Sequence, residues 1–150
     1  FDRACAAAHS VRSAHKVMEI IRAPNGSVCI DDTFNNNPDA ARAAIFFLGS
    51  QKGKKILVFQ PMIELGTFAE SAHDEVGRFA ATTCDAILLT NANFLTAFER
   101  GVRSFSSDIP VVVLNPSQTA DYIRAHAHKG DVVLFKGKDA EHALHNFLTP

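Results

Sequence analysis

Tryptophan is absent from this chain, tyrosine occurs once, and there are only three cysteines in 150 residues. Cys5, Cys29 and Cys84 are odd in number and far apart, and no CxxC pair exists. This pattern excludes a disulfide framework and a thiolate zinc knot. It reads as small buried thiols in a reducing compartment, so the expected location is the cytoplasm. No apolar run approaches the roughly 20 residues that span a bilayer, and no basic-then-apolar leader is visible. A net charge of −1 gives no electrostatic case for nucleic acid or an anionic membrane, and neither is expected as a partner. Two phosphate signatures are also missing. Without GxxxxGK[ST] there is no P-loop, and without GxGxxG after a first strand the usual dinucleotide fold is unsupported. No serine elbow or catalytic cysteine motif occurs. The histidines do not suggest a metal site. His126 and His128 lie two apart and do not share a helix face, and His142 and His145 lack an acidic or cysteine partner nearby.

The apolar fraction is 47% and the charged fraction 21%, enough for one domain with a core. Four short apolar runs do not alternate: Lys55–Phe59, Ala86–Leu89, Pro110–Leu114 and Asp131–Phe135. Such runs fit strands covered on both faces, as in a parallel sheet. Helical patterns lie between them. Ala41, Ala44, Ile45 and Leu48 share a face, as do Ala72, Val76, Phe79 and Ala80. So do Phe94, Ala97 and Phe98, and then Ala140, Ala143, Leu144 and Phe147. Strand and helix alternate to the end, which predicts an α/β fold: a mostly parallel sheet with helices on both faces. Asn37 before Pro38 is a helix cap, Thr67 to Glu70 has capping-box spacing, and Ser117 and Asp139 are expected to cap the last two helices. Upstream, residues 17–22 and 27–31 flank Pro24-Asn25-Gly26 and read as a hairpin.

In an open parallel sheet, ligands bind beyond the carboxyl ends of the strands. Four segments qualify: residues 31–37, 60–66, 90–93 and 136–139. The first is IDDTFNNNPDAARAAI, Ile30 to Ile45, where two acids and three asparagines stand between strand and helix. Its carboxylates and amides suit ribose hydroxyls or a substrate amine, or else they satisfy turn and cap groups. Lys136-Gly-Lys138 before a helix start suits an anion, or is a solvated turn. Glu64 is either a ligand contact or loop surface.

The same stretch resembles the IDD[ST]-[YF]-N-x-NP signature that opens the C-terminal domain of the Mur ligases, most of all those that add D-alanyl-D-alanine. KKILVFQPMIELGTFAESAHDEVGRFA is similar to that family's strand, its M-x-ELG loop and its E-x-x-H-x-x-x-G helix. GDVVLFKGKDAEHALHNFL resembles its closing strand and helix. The resemblance implies a Rossmann-like domain of about six strands, the first antiparallel. It divides the chain into residues 1–15, a linker or helix from a preceding domain, and 16–150, the acceptor-binding domain, with a hinge around residues 10–16. It implies an ATP-dependent ligase in which ATP phosphorylates the terminal carboxylate of a UDP-linked muramoyl tripeptide. The amine of D-alanyl-D-alanine then attacks, and phosphate leaves. ATP and Mg2+ are held mainly by a central domain, and the UDP-muramoyl peptide by further domains. On the nucleotide side, the resemblance points to Asp32, Asn37 and Lys16, the last being nearest to the family's arginine before the hairpin. On the acceptor side it points to Phe34, Asn35, Glu64, Lys136 and Gly137. Phe34 stands where the family often has tyrosine, Gln60-Pro61 where it has Gly-Asp, and Lys138 where it has serine. These exchanges keep an alternative open: a non-catalytic binding module on the same fold.

Overall fold

The computed structural model describes residues 15–149. The expected linker over residues 1–15 and the proposed hinge therefore lie almost wholly outside the described residues, as does Cys5. Six strands are present: β1 (Glu19–Arg22), β2 (Val28–Asp32), β3 (Lys55–Phe59), β4 (Ala86–Leu89), β5 (Val111–Val113) and β6 (Val132–Lys136). They form one sheet in the order β1-β2-β6-β3-β4-β5. Only the β1–β2 pair is antiparallel, in the hairpin around Asn25-Gly26. The other pairs are parallel. Five helices connect them: α1 (Pro38–Gly49), α2 (Ala69–Ala81), α3 (Leu95–Arg103), α4 (Pro116–His126) and α5 (Lys138–Leu148).

The non-alternating strands are explained by two cores. Ile30, Leu57, Phe59, Ile87, Leu89 and Leu134 face α1, α2 and α3. Cys29, Ile56, Val58, Leu88, Val133 and Phe135 face α4 and α5. The four inner strands, β2, β6, β3 and β4, bury both of their side-chain rows, so their middles are apolar on both faces, while the edge strands β1 and β5 stay partly exposed. The two described cysteines belong to these cores, and burial raises their pKa, that of Cys29 to about 12.

The faces expected for α1 and α5 are those observed. In α2 the buried row is rotated. His73 and Gly77 are buried with Val76 and Ala80, whereas Ala72 and Phe79 are only partly covered. Close packing against α3 causes this: a Cβ on Gly77 would overlap the Phe98 carbonyl, and one on Gly101 the Asp74 carbonyl. Helix backbones this near need glycine at the crossing.

Asn37 caps α1 as expected, accepting from the Ala40 N–H at 2.9 Å. The other three caps differ. Thr67 lies inside a 3-10 turn, Gly66–Phe68, which runs straight into α2 without a side-chain cap. α4 starts at Asn115-Pro116 rather than Ser117, with a reciprocal box between Asn115 and Gln118. α5 starts at Gly137, not at an Asp139 cap.

Candidate functional site

The two acids at the end of β2 have separate duties. Asp31 is turned into its own loop, where Oδ1 accepts from the Thr33 hydroxyl at 2.6 Å and the Thr33 N–H at 3.1 Å. Asp32 faces the neighbouring strand. The β2–β6 register sets it beside Lys136, whose ammonium reaches Asp32 Oδ2 at 2.7 Å. Only 2% of the lysine side chain is exposed and 10% of the aspartate. The same ammonium donates to the Asn35 carbonyl at 2.7 Å, and the Met18 N–H donates to Asp32 Oδ1 at 3.3 Å. Lys136 is thus neither a free anion ligand nor a solvated turn residue. It ties the asparagine loop to the centre of the sheet, in a bond strengthened by the low local dielectric.

Gln60, the first residue beyond β3, joins the third loop. Its carbonyl accepts from Asn36 Nδ2 at 2.6 Å, and its Oε1 accepts from the Asp139 N–H at the start of α5 at 3.0 Å. Gly137 makes room for it, with φ of +92° and Gln60 Cβ only 2.7 Å from where a Cβ would stand. The exits of β2, β3 and β6 are therefore fastened together through Asn36, Gln60 and Gly137. Asn36 Oδ1 is buried and has no partner among the described residues.

Three cavities open around this junction. One of about 290 Å³ is lined by Asp32, Phe34, Asn35, Asn37, Lys136 and the Ala40–Ala44 flank of α1. A second, of about 190 Å³, lies between Asn35 and Asn36 and the loop from Gln60 to Glu64, with Lys138 at its edge. A third, of about 310 Å³, holds Lys16, Thr33, Phe34, Lys138, Asp139, Glu141 and His142. Asn35 borders the first two, and Phe34, 62% exposed, borders the first and third. The sequence-derived residues thus gather at one end of the sheet but not in one hollow. Asp32, Phe34, Asn35, Asn37 and Lys136 share the first cavity, Glu64 lies in the second, and Lys16 in the third. Lys16 is paired with Glu141 at 2.7 Å, and that lysine holds the Glu141 carboxyl below its usual pKa.

Sequence reasoning missed Asn36 and Gln60 as structural members of the site. Their signal was positional: Gln60 departs from the family pattern and Asn36 fills its variable position, and the structure shows them bonded to each other. It also missed His73. This ring is fully buried beneath the 60–65 loop, and its Nε2 accepts from the Met62 N–H at 2.9 Å.

Both helix starts at the junction already have a side-chain acceptor, α1 from Asn37 and α5 from Gln60, and both oxygens of Asp32 are engaged. Among the described residues, no group of three or more His, Cys, Asp or Glu side chains forms a metal-holding set. Among the described residues this junction has no carboxylate set for Mg2+. No helix among the described residues is long and apolar enough to cross a membrane.

The polar residues of this α/β domain collect beyond the carboxyl ends of β2, β6 and β3, the edge at which open parallel sheets bind ligands. Residues 18–139 match the family model "Mur ligase, glutamate ligase domain", and the chain belongs to the Mur ligase family. It is 31% identical over 123 residues to the UDP-N-acetylmuramoyl-tripeptide–D-alanyl-D-alanine ligase of Bacillus subtilis, covering 79% of this chain and 27% of the relative. The enzyme of the same name from Mycobacterium leprae is 31% identical over 142 residues, covering 83% and 27%. Among solved structures, the MurF ligase of Thermotoga maritima in complex with ADP superposes with a TM-score of 0.76 at 27% identity, over 92% of this chain and 31% of that one. MurF from Acinetobacter baumannii gives 0.79 at 25%, over 94% and 32%. The chain thus spans under a third of the length of these relatives.

Proposed function

We propose that this chain is the acceptor-binding domain, residues 16–150, of an ATP-dependent amide ligase in peptidoglycan precursor synthesis. The reaction joins the amine of D-alanyl-D-alanine to the terminal carboxylate of a UDP-muramoyl tripeptide. The observation that carries this reading is the Asp32–Asn37 signature itself. It sits at a parallel strand exit, fastened by Lys136 to β6, with open cavities on either side of Asn35. ATP supplies the driving force when it is bound, with Mg2+, mainly by other domains.

What this chain contributes is binding and orientation. Asn35 and Glu64 face the cavity that would take the dipeptide, and Lys136 and Gly137 hold the Asn35 backbone and the Gln60 loop in place. Asp32, Asn37 and Lys16 border the side that meets the nucleotide once the domains close. A second reading, a binding module without turnover, is favoured by one observation: Lys16 is tied to Glu141 and offers no unpaired cation.

The test is an amide-shift titration of the labelled chain with D-alanyl-D-alanine and with ATP. Because half the site is missing, binding is expected at millimolar affinity or weaker, about −4 kcal/mol. Shifts should map to Asp32, Asn35, Asn37 and Glu64. Micromolar binding, or shifts confined to the opposite end of the sheet, would overturn the proposal.

A further inference from the structure

The E-x-x-H-x-x-x-G helix has so far contributed only a buried ring. His73 has no exposed surface, and both of its nitrogens are spoken for. Nδ1 lies 2.6 Å from the Ala69 carbonyl, which can only accept, so this nitrogen carries the proton. Nε2 accepts from the Met62 N–H and is therefore bare. The ring also stacks on Phe94 in the β4 exit loop, with centroids 4.5 Å apart and planes 20° apart. One neutral tautomer thus joins three segments: the start of α2, the Phe94 loop and the loop that carries Glu64. Met62 is itself buried, while Ile63 and Glu64 beyond it are exposed, and Glu64 has a positive φ of 65°. The loop is held at its base and exposed at its tip.

We infer that His73 is a positioning residue of the acceptor site: its neutral imidazole holds the Met62–Glu64 loop in place, and a proton on Nε2 releases it. A protonated Nε2 is a donor and cannot accept from the Met62 N–H, so two donors would then face each other in a buried site. The charge environment agrees. Burial lowers the His73 pKa from 6.5, against smaller opposing pulls from the Ala69 carbonyl and from Glu70 on the same helix. Asp74, the next residue, is turned away and paired with Arg78 and Arg100. The α3 side presents the uncharged Phe94, and the loop presents the Met62 N–H. Since the folded-state pKa is the lower one, the neutral ring costs nothing above 6.5. Stability is lost as pH falls from there through the folded value.

The inference rests on the reading that this loop borders the acceptor site, so its test has two arms. In the first, the Met62 amide and the His73 ring protons are followed by NMR across falling pH. They should move together with one midpoint below 6.5. In His73→Gln, whose side chain offers an uncharged acceptor, the Met62 amide should stay still across the range. A Met62 amide that does not follow the ring in the native chain overturns the inference, as does one that titrates unchanged in the variant. In the second arm, D-alanyl-D-alanine affinity is measured above and below that midpoint. It should weaken several-fold at low pH in the native chain and not in His73→Gln. If the dipeptide binds equally well at both pH values while the amide titrates, the positioning role is overturned and the acceptor reading survives. If it binds at neither pH while the amide titrates, the acceptor reading fails and the latch stands.

Discussion

Asp32 and Asp131 stand at opposite ends of the same two paired strands, and they are used in opposite ways. Asp131, just before β6, spends its carboxylate on backbone: Oδ1 accepts from the Lys54 N–H at 3.0 Å and Oδ2 from the His128 N–H at 2.8 Å. Around it the Val28 N–H reaches the Asp131 carbonyl, the Gly130 N–H reaches the Gly26 carbonyl, and Gly53 packs so closely that a Cβ would overlap the Gly130 carbonyl. That end of the sheet is sewn shut by bonds to backbone groups, one within the turn and the rest between segments far apart in sequence. At the other end Asp32 meets a side-chain cation from a strand more than a hundred residues away, and three cavities surround the junction. A carboxylate bonded to backbone N–H groups of two segments closes the space between them. A carboxylate bonded to a buried ammonium anchors the loop that shares that ammonium, and cavities stay open beside it.

The comparison can be broken most severely at the ion pair. Lys136→Met leaves a buried carboxylate without its cation and should cost about 3–5 kcal/mol in denaturant unfolding. The double variant with Asp32→Asn should recover much of this, because the uncompensated charge is gone. A single-variant loss below about 1 kcal/mol would mean that the pair does not hold the loops. At the closed end, Asp131→Ala strips two backbone donors of their acceptor. It should cost about 2 kcal/mol and leave the amide shifts of Asn35, Asn36 and Asn37 in place. Movement of those shifts would show that the two ends are not independent. The smallest effect is expected at the cap of α1. Asn37→Ala should cost about 1 kcal/mol, while Asn37→Asp, which keeps the capping oxygen, should be close to silent in stability. Dipeptide or nucleotide affinity that falls in Asn37→Asp despite intact stability would separate ligand contact from capping.

Much of the framework was legible because its signals are local. The buried strands announce themselves as unbroken aliphatic runs, and the Asn37-Pro38 start is written in two adjacent residues. Three caps were misplaced for local reasons too. The 3-10 turn at Gly66–Phe68 absorbs the Thr67 spacing, and the true box at Asn115-Pro116-Ser117-Gln118 begins two residues before the serine expected to cap. The rotated face of α2 was not legible, since it depends on glycines meeting carbonyls of another helix. The place of the site followed from the rule for strand exits and from the resemblance. Its internal bonds did not. Lys136 finds Asp32 only through the β2–β6 register, and Gln60 reaches Asn36 and the Asp139 N–H only once β3 lies beside β6. His73 stood in a quoted motif, yet nothing in its spacing says which backbone N–H it will meet.

The strand order has a consequence for how the molecule is made. β6 is the last strand in the chain, yet it lies between β2 and β3. During synthesis two half-sheets therefore come first, the β1–β2 hairpin and the β3-β4-β5 set, with no strand-to-strand hydrogen bonds between them until residues 132–136 arrive. Until then β2 and β3 each present an unpaired apolar edge, the kind of surface that recruits chaperones or other chains. Insertion of β6 closes both edges and, in the same step, brings Lys136 to Asp32. The nascent chain cannot display its loops in working order before its centre is complete. A chain cut just before Val132 would hold every other described strand and lack the Lys136–Asp32 junction.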